Sequence, residues 1–505
     1  MFQVQEKCDK ICRSLALGGV KMLKRMDREG RFENFLLPFD GKLKKDNRWV
    51  KLADAIPWEE LEEIYGKKFS AKMGRPGLNV RIAVGALIIK HKQNLTDEET
   101  VEQIMENPYL QYFLGYEEFQ EKAPFDASTL VYFRARFELE DVNVINELLV
   151  KMMSKSEKPA CKDDDKDGNG GGNSGKLLID ATAVPADIKY PTDLDLLNTA
   201  REKSEQLIDE LHEECKTSEK KPRTYRNTAR SDYLRVAKKR KVKKNILRAA
   251  IRKQLSCLCR NLNNIDKMLA KPDCSLDKKS KELLDVLRTV HKQQEEMFRE
   301  RKHSVANRIV SISQPHVRPI VRGKASAPVE FGAKISVSVA DGIAYLDHLS
   351  WDAFNESADL APQVEKFKER FGHYPASVHA DKIYGTRENR KFLAEKNIKF
   401  SGAPLGRPKV DISAEEKLEQ RQAELDRIPI EGKFGNGKRR FSLDRILAKL
   451  KNTAETWIGF IFIVINIGTL EARSFLRLFQ MLFQKQFSGF CFYGNIGLVL
   501  KIIKR

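Results

Sequence analysis

Between residues 331 and 401 the apolar residues change period several times, and that succession limits the fold more than any other feature of the chain. Ala333, Ile335, Val337 and Val339 alternate with Lys334, Ser336 and Ser338, the period of a strand. Asp341-Gly342 then supplies a hairpin turn into a second strand over 343–349. Leu360, Val364, Phe367 and Phe371 lie on one face of an amphipathic helix that Gly372 can close. A strand follows over 376–380 and ends at Asp381. A helix over 387–396 and a strand over 398–401 come next. Far upstream, Leu177-Leu178-Ile179 is a short apolar run leading into Asp180, which predicts a buried strand.

Strand, hairpin, helix, strand, helix resembles the order of an RNase H-like α/β domain, a mixed sheet flanked by helices. This reading places the α/β domain at 176–480. It is interrupted by a helical insertion at 193–320, preceded by an all-α N-terminal domain at 1–156 and a linker at 157–175, and followed by a tail at 481–505. The linker, EKPACKDDDKDGNGGGNSG, is polar and Gly-rich and cannot build a core. Asp163, Asp165, Asp167 and Gly168 have the spacing that opens an EF-hand loop. Ser174 stands where the bidentate Glu would be needed, so a calcium loop is not expected. In the N-terminal region Ile82, Leu87 and Ile88 form an apolar stripe. Thr96 and Glu99 form a capping box for a helix through Ile104 that Asn107-Pro108 stops. A further helix is predicted from Ser128. Its Arg134 and Arg136 either touch DNA or belong to a plain packing domain. In the insertion, Leu247, Ile251, Leu255, Leu258, Leu262, Ile265 and Leu269 recur as a heptad-like seam. Its partner is either the segment with Leu283, Leu287 and Val290, turned back at Lys271-Pro272, or another subunit.

The chain of 505 residues carries a formal charge of +20. Charge of that size and sign favours a polyanionic partner. Residues 220–260 hold sixteen Lys or Arg and one acid, Asp232. The centre of this segment is KKRKVKK: Lys238, Lys239, Arg240, Lys241, Lys243 and Lys244. Basic runs on solvated helices normally carry compensating acids. This one does not, which points to phosphate-backbone binding without sequence readout. The eight cysteines, Cys8, Cys12, Cys161, Cys215, Cys257, Cys259, Cys274 and Cys491, form no Cys-x-x-Cys pair. A zinc ribbon is not expected, and their sparse spacing suits a reducing cytoplasm. The N-terminus lacks the apolar core of a signal peptide. The longest apolar run, Trp457 to Ile467, is short of the ~20 residues a spanning helix needs and predicts a buried core element.

Three acids stand out by context. Asp180 and Asp381 each follow a buried apolar run, and Glu431 sits in RIPIEGKFGNGKRR beside a dense basic group. A carboxylate at a buried strand end is costly unless a cation pairs with it. Three such carboxylates can hold two Mg²⁺ ions for phosphoryl transfer. Asp347, Asp352 and Glu330 are competing acids.

Longer motifs carry a more specific resemblance. LLIDATAVPADIKYPTD at 177–193, EFGAKISVS at 330–338, HADKIYGTRENR at 379–390, SGAPLGRP at 401–408 and RIPIEGKFGNGKRRFSLDRI at 427–446 resemble a DDE transposase of the bacterial insertion-sequence-five superfamily. The stretches at 74–115 and 124–137 resemble its N-terminal helical domain. The resemblance implies that Asp180, Asp381 and Glu431 are the catalytic, metal-holding acids, with Mg²⁺ as the ion and Mn²⁺ a substitute. Around the last acid such families show a Tyr-x2-Arg-x3-Glu-x6-Lys pattern. Here Arg427, Glu431 and Lys438 match, while Glu424 replaces the Tyr. Arg427 and Lys438 would then contact DNA-end phosphates, and Lys433, Arg439 and Arg440 would extend the same basic edge. The implied partner is double-stranded DNA, terminal repeats and target, bound by a homodimer in the bacterial cytoplasm. Two alternatives stand beside the transposase: a metal nuclease of the same fold that cuts without joining, and a non-catalytic DNA-binding protein derived from a transposase. An RNA-binding basic protein would explain the charge but not the acids.

Overall fold

A computed structural model describes residues 41–69, 77–156, 172–215, 220–272, 274–321, 329–402 and 414–487. The acids of the EF-hand-like spacing, residues 403–408 of the fourth motif, four of the eight cysteines and the tail beyond Phe487 lie outside the described residues.

The N-terminal region is helical: α1 (Arg48–Ala55), α2 (Trp58–Gly66), α3 (Val80–Gln93), α4 (Asp97–Glu106), α5 (Pro108–Phe113), α6 (Thr129–Arg136) and α7 (Leu139–Ser156). The capping box is present. The Thr96 hydroxyl accepts from Glu99 N at 3.1 Å, and the Glu99 carboxylate accepts from Thr96 N at 2.8 Å. α4 ends at Asn107, and Pro108 opens α5, where its missing N–H costs nothing. α3 is more deeply buried than its apolar stripe implied: Val80, Ala83, Leu87, Ile88 and Ile89 are all fully enclosed.

The mixed sheet has six strands among the described residues: β1 (Lys176–Pro185), β2 (Arg318–Val321), β3 (Val329–Ala340), β4 (Ile343–Ser350), β5 (Ser377–His379) and β6 (Lys399–Phe400). Their order is β2-β3-β1-β5-β6, with β4 paired to β3. β3 runs antiparallel to β1, β2 and β4, whereas β5 is parallel to β1 and β6 to β5. The hairpin turn falls where the sequence put it, with Asp341 and Gly342 both at positive φ (46° and 68°) as a type I′ turn requires. The register slips between Ser336 and Val337, leaving Asp347 as the extra residue of a bulge. That acid is buried on Arg370 at 2.7 Å, so this competitor of the three candidate acids is occupied structurally. Both faces of the sheet are covered, and even Ser336 and Ser338 on the polar side of β3 are buried.

Gly332 of β3 pairs with Pro185 of β1. A Cβ there would collide with the Val184 carbonyl oxygen and Pro185 Cα, both backbone atoms that cannot swing aside. Gly332→Ala should therefore cost about 2 kcal/mol, measured as a lower denaturant midpoint. An unchanged midpoint would mean that the strands separate freely here.

α12 (Leu360–Phe371), closed by Gly372 at φ 80°, and α13 (Arg387–Glu395) connect the later strands. They lead to α14 (Ala414–Arg440) and α15 (Lys451–Phe487). The stretch Lys451–Arg477 is long and apolar enough to cross a membrane, but most of it is buried inside the protein. It packs on α3, α6 and α7 of the N-terminal region and on β4 of the sheet. One hydrophobic core consequently joins Leu61, Leu87 and Phe113 at one end of the chain to Ile179, Val337 and Phe460 at the other.

The insertion builds its own core from α8 (Asp193–Glu214), α10 (Lys244–Leu269) and α11 (Lys278–Glu300), and α9 (Arg226–Ala237) adds a smaller cluster in which Val236 meets Leu194 and Ala250. The heptad-like seam is real from Leu255 to Ile265 and meets Leu287 and Val290 across the turn at Lys271-Pro272. It also packs extensively against α8, whose Leu197, Leu207, Ile208 and Leu211 complete the cluster. The same packing sets Cys215, at the end of α8, beside Cys274, before α11, with their Cα atoms 4.9 Å apart in a disulfide. Nothing in their spacing of 59 residues announced the pair.

Candidate active site

The parallel β1–β5 register pairs Leu177 with Val378 and Leu178 with His379. Asp381 lies two residues past the end of β5. Asp180 lies in the middle of β1, because the strand runs on through the small, half-buried or buried residues Ala181 to Val184. The expectation that it ends the strand is corrected accordingly. Its Oδ1 accepts from Ala181 N at 2.8 Å. Burial pushes the carboxyl up to about 6; the Ala181 N–H and the Arg427 guanidinium oppose that rise, and Asp381 and Glu356 add to it. Asp381 is more open. Its Oδ1 accepts from Lys382 N at 3.0 Å, capping a single 3-10 turn over Lys382–Tyr384.

α14 lies across these two acids. Arg427 donates from Nη1 to Asp381 Oδ1 at 3.1 Å. Lys438, eleven residues on, donates from Nζ to the Thr182 hydroxyl of β1 at 3.1 Å. Positions 427, 431, 434 and 438 share one helical stripe, so Glu431 stands between those two contacts, with Ile430 and Phe434 buried beside it. Glu431 itself is exposed. Among the described residues no three acidic, His or Cys side chains are gathered closely enough to hold a metal ion. Two of the three expected acids are therefore close enough to act on each other electrostatically, and the third lies on the helix that covers them without joining them. The donor set still fits a hard divalent cation: carboxylate oxygens are its preferred ligands, and the half-buried Asp180 gains most from a neighbouring positive charge.

Lys433 shares a helical stripe with Arg440, seven residues on, but is itself half-buried and drawn into packing. It lies on the far side of α14, where its Nζ donates to the Thr469 hydroxyl of α15 at 2.5 Å. Burial and then Arg473 push it down to about 8. Arg439 and Arg440 are exposed. So are Lys238, Lys239, Arg240, Lys241, Lys243 and Lys244, which lie in and beside the connection between α9 and α10. Of the two readings of Arg134 and Arg136, the contacts they make favour packing. Arg134 is buried and grips Asp97 through both terminal nitrogens, at 2.9 and 2.7 Å. Arg136 donates to the Tyr65 hydroxyl at 2.9 Å and stacks on Phe69. The short helices that carry them are packing elements at these positions.

Sequence reasoning missed Thr182, Lys334 and Glu356. Glu356, in a 3-10 turn over Glu356–Asp359, accepts from Lys334 Nζ of β3 at 2.9 Å and lies within the electrostatic reach of Asp180. Asn389 ties this turn to the one after Asp381 by donating to the carbonyls of Ser357 and Tyr384, at 2.7 and 2.9 Å. Lys334 had a signal, as the only charge between Phe331 and Ala340 of β3. Glu356 had none.

A family model described as a transposase domain (DUF772) matches residues 37–136, and one described as a transposase DDE domain matches residues 378–468. The second includes Asp381, Arg427, Glu431 and Lys438. A relative from Rhizobium meliloti, described as uncharacterized protein ORF8 in nfe locus, is 34% identical over 146 residues. That match spans 28% of this chain and 64% of the relative. No solved structure matches. Two separate segments of the chain are thus similar to transposase families, the first to a DUF772 transposase domain and the second to a transposase DDE domain.

Proposed function

We propose that the chain is a metal-dependent DNA transposase that cleaves the ends of an insertion sequence and joins the 3′-hydroxyls to target DNA. The observation that carries this reading is the proximity of Asp180 on β1 to Asp381, two residues past the end of β5, beneath a helix that brings Arg427 to Asp381 and Lys438 to Thr182 with Glu431 on the stripe between them. The strand order supports an RNase H-like catalytic core: a central strand bearing the first acid, flanked by an antiparallel hairpin on one side and, on the other, a short parallel strand that leads into the second acid. Asp180 and Asp381, with Glu431 as third ligand, would hold Mg²⁺ or Mn²⁺, which activates the attacking oxygen and offsets charge on the leaving one. Arg427 and Lys438 do the positioning. A guanidinium already bonded to a site carboxylate can exchange it for a phosphate oxygen, and Lys438 adds a point charge along the strand. Residues 238–244 supply sequence-independent grip on the duplex, since none of their six cations has an acid partner among the described residues. The protein works on DNA in the cytoplasm as a homodimer bridging paired ends.

The test is incubation of the full chain with labelled DNA carrying its element's ends and Mg²⁺ or Mn²⁺, beside an Asp381→Asn variant. Metal-dependent nicking and joined products, both lost in the variant, are expected. Nicking without joining would favour the nuclease alternative. Cleavage unaffected by Asp381→Asn would remove the site assignment.

A further inference from the structure

On the side of α14 away from the aspartates, the helix meets the N-terminal region and α15 around a cleft of about 560 Å³. Its lining brings together cations from four elements: Arg48 of α1, Lys92 of α3, Arg440 of α14 and Arg473 of α15, against one acid, Glu471. Lys92 is engaged with Glu471 at 2.5 Å, and Arg473 with Asp341 at 3.1 Å. That leaves Arg48 and Arg440, both exposed and neither with an acid partner among the described residues. Asn436 and Thr469 add polar groups to the lining. The positive field reaches the neighbouring Lys433, where Arg473 adds to the effect of burial in disfavouring the charged amine. Nine residues of α-helix separate Glu431 from Arg440, about 14 Å at 1.5 Å per residue. That span is roughly four steps of a DNA strand at ~3.4 Å each.

We propose that this cleft grips the sugar-phosphate backbone of duplex DNA flanking the cleaved phosphate, with Arg48 and Arg440 as its free phosphate-binding groups. The identity of the strand as substrate rests on the transposase reading; the anionic partner rests on the cleft alone. The N-terminal region then reaches DNA through its junction with α14, not through Arg134 and Arg136, which are spent on packing. Cations from α1 and α14 closing on one backbone also couple DNA binding to the fit between the two halves of the chain.

The full chain is titrated into a fluorescein-labelled random-sequence duplex in EDTA, where no cleavage intervenes, over a series of KCl concentrations. The parent is compared with an Arg48→Ala/Arg440→Ala chain and with Lys151→Ala, an exposed cation on α7 that does not line the cleft. The double variant should lose about tenfold in affinity at low salt, and its log–log salt slope should fall by about two, near 0.9 for each phosphate contact removed. Lys151→Ala should change neither. Equal slopes for the parent and the double variant would overturn the proposal, as would an equal loss in Lys151→Ala. The two readings separate cleanly. A reduced slope beside cleavage indifferent to Asp381→Asn leaves the cleft standing and removes the reaction site, and the converse result does the reverse.

Discussion

An Asp180→Asn chain should melt about 1–2 °C above the parent at pH 8 in EDTA and should cleave no DNA. Burial pushes the Asp180 carboxyl from 3.8 up to about 6, so the folded chain holds this proton more tightly than the unfolded chain does. As pH rises from about 4 to 6 the unfolded state releases the proton first, and stability falls across that window. Above it the carboxyl is ionised in both states and the penalty stays constant. Asn keeps the acceptor for Ala181 N and carries no charge, so the variant lacks this slope. The full shift corresponds to about 3 kcal/mol, and screening by solvent at this half-open site reduces the expected gain to about 1–2 kcal/mol. The difference between the two melting curves should open between pH 4 and 6 and hold steady above. Mg²⁺ should raise the melting temperature of the parent and leave the variant unmoved, because an ion that binds only the folded chain stabilises it by mass action. Cleavage should drop about a thousandfold or more, as when one member of a catalytic unit is removed. Identical melting curves at pH 8, or retained cleavage, would refute the assignment of Asp180.

The parts of this site that were legible in the sequence are those with local signals. Leu177-Leu178-Ile179 before Asp180 and the run before Asp381 announced strands because an apolar run of strand length needs no distant partner to be recognised. The same holds for the Asp341-Gly342 turn, the Thr96–Glu99 capping box and Gly372. α14 was hidden because its residues argue against a helix: Pro429 lies inside it, and Gly432, Gly435 and Gly437 follow. Packing of Ile430 and Phe434 under the sheet overrides those preferences, and only the helix places Arg427, Glu431 and Lys438 on one stripe. Arg134 misled for the opposite reason. A basic residue on a short helix suggests DNA until its partner, Asp97, arrives from 37 residues upstream. The third wall of the insertion, α8, was likewise invisible beside the seam, since the heptad pattern of α10 states that a partner exists and not which segment supplies it.

Asp97→Ala should cost about 3–5 kcal/mol and unfold both halves of the chain together. Among the described residues, Asp97 is the only acid bonded to two nearly inaccessible cations, Lys90 at 2.9 Å and Arg134 at 2.7 Å, whose side chains are 2% and 4% exposed. Burial acts to raise the Asp97 carboxyl, but Arg134 and Lys90 outweigh it and hold the group below its usual value. Removing the carboxylate leaves two buried charges uncompensated, the costly way to break a buried ion pair. Lys90 keeps one bond to the Leu95 carbonyl at 2.8 Å, and both cations keep the face of Trp457, at 4.6 and 5.3 Å. Those contacts hold the amine and guanidinium in place, so they cannot swing out to water to escape the penalty. Trp457 belongs to α15, which packs on α3, α6, α7 and β4, so the knot joins the N-terminal helices to the helix that backs the sheet. A single, earlier unfolding transition is therefore expected, not early loss of the N-terminal helices alone. Replacing Lys90 by Met in the Asp97→Ala background should recover part of the loss, because one orphaned charge disappears. Asp46→Ala, which removes the partner of Lys51 in a pair whose members are 99% and 61% exposed, should change stability by less than about 0.5 kcal/mol. If Asp97→Ala and Asp46→Ala shift the denaturant midpoint equally, the Lys90–Asp97–Arg134 cluster does not hold the two ends of the chain together.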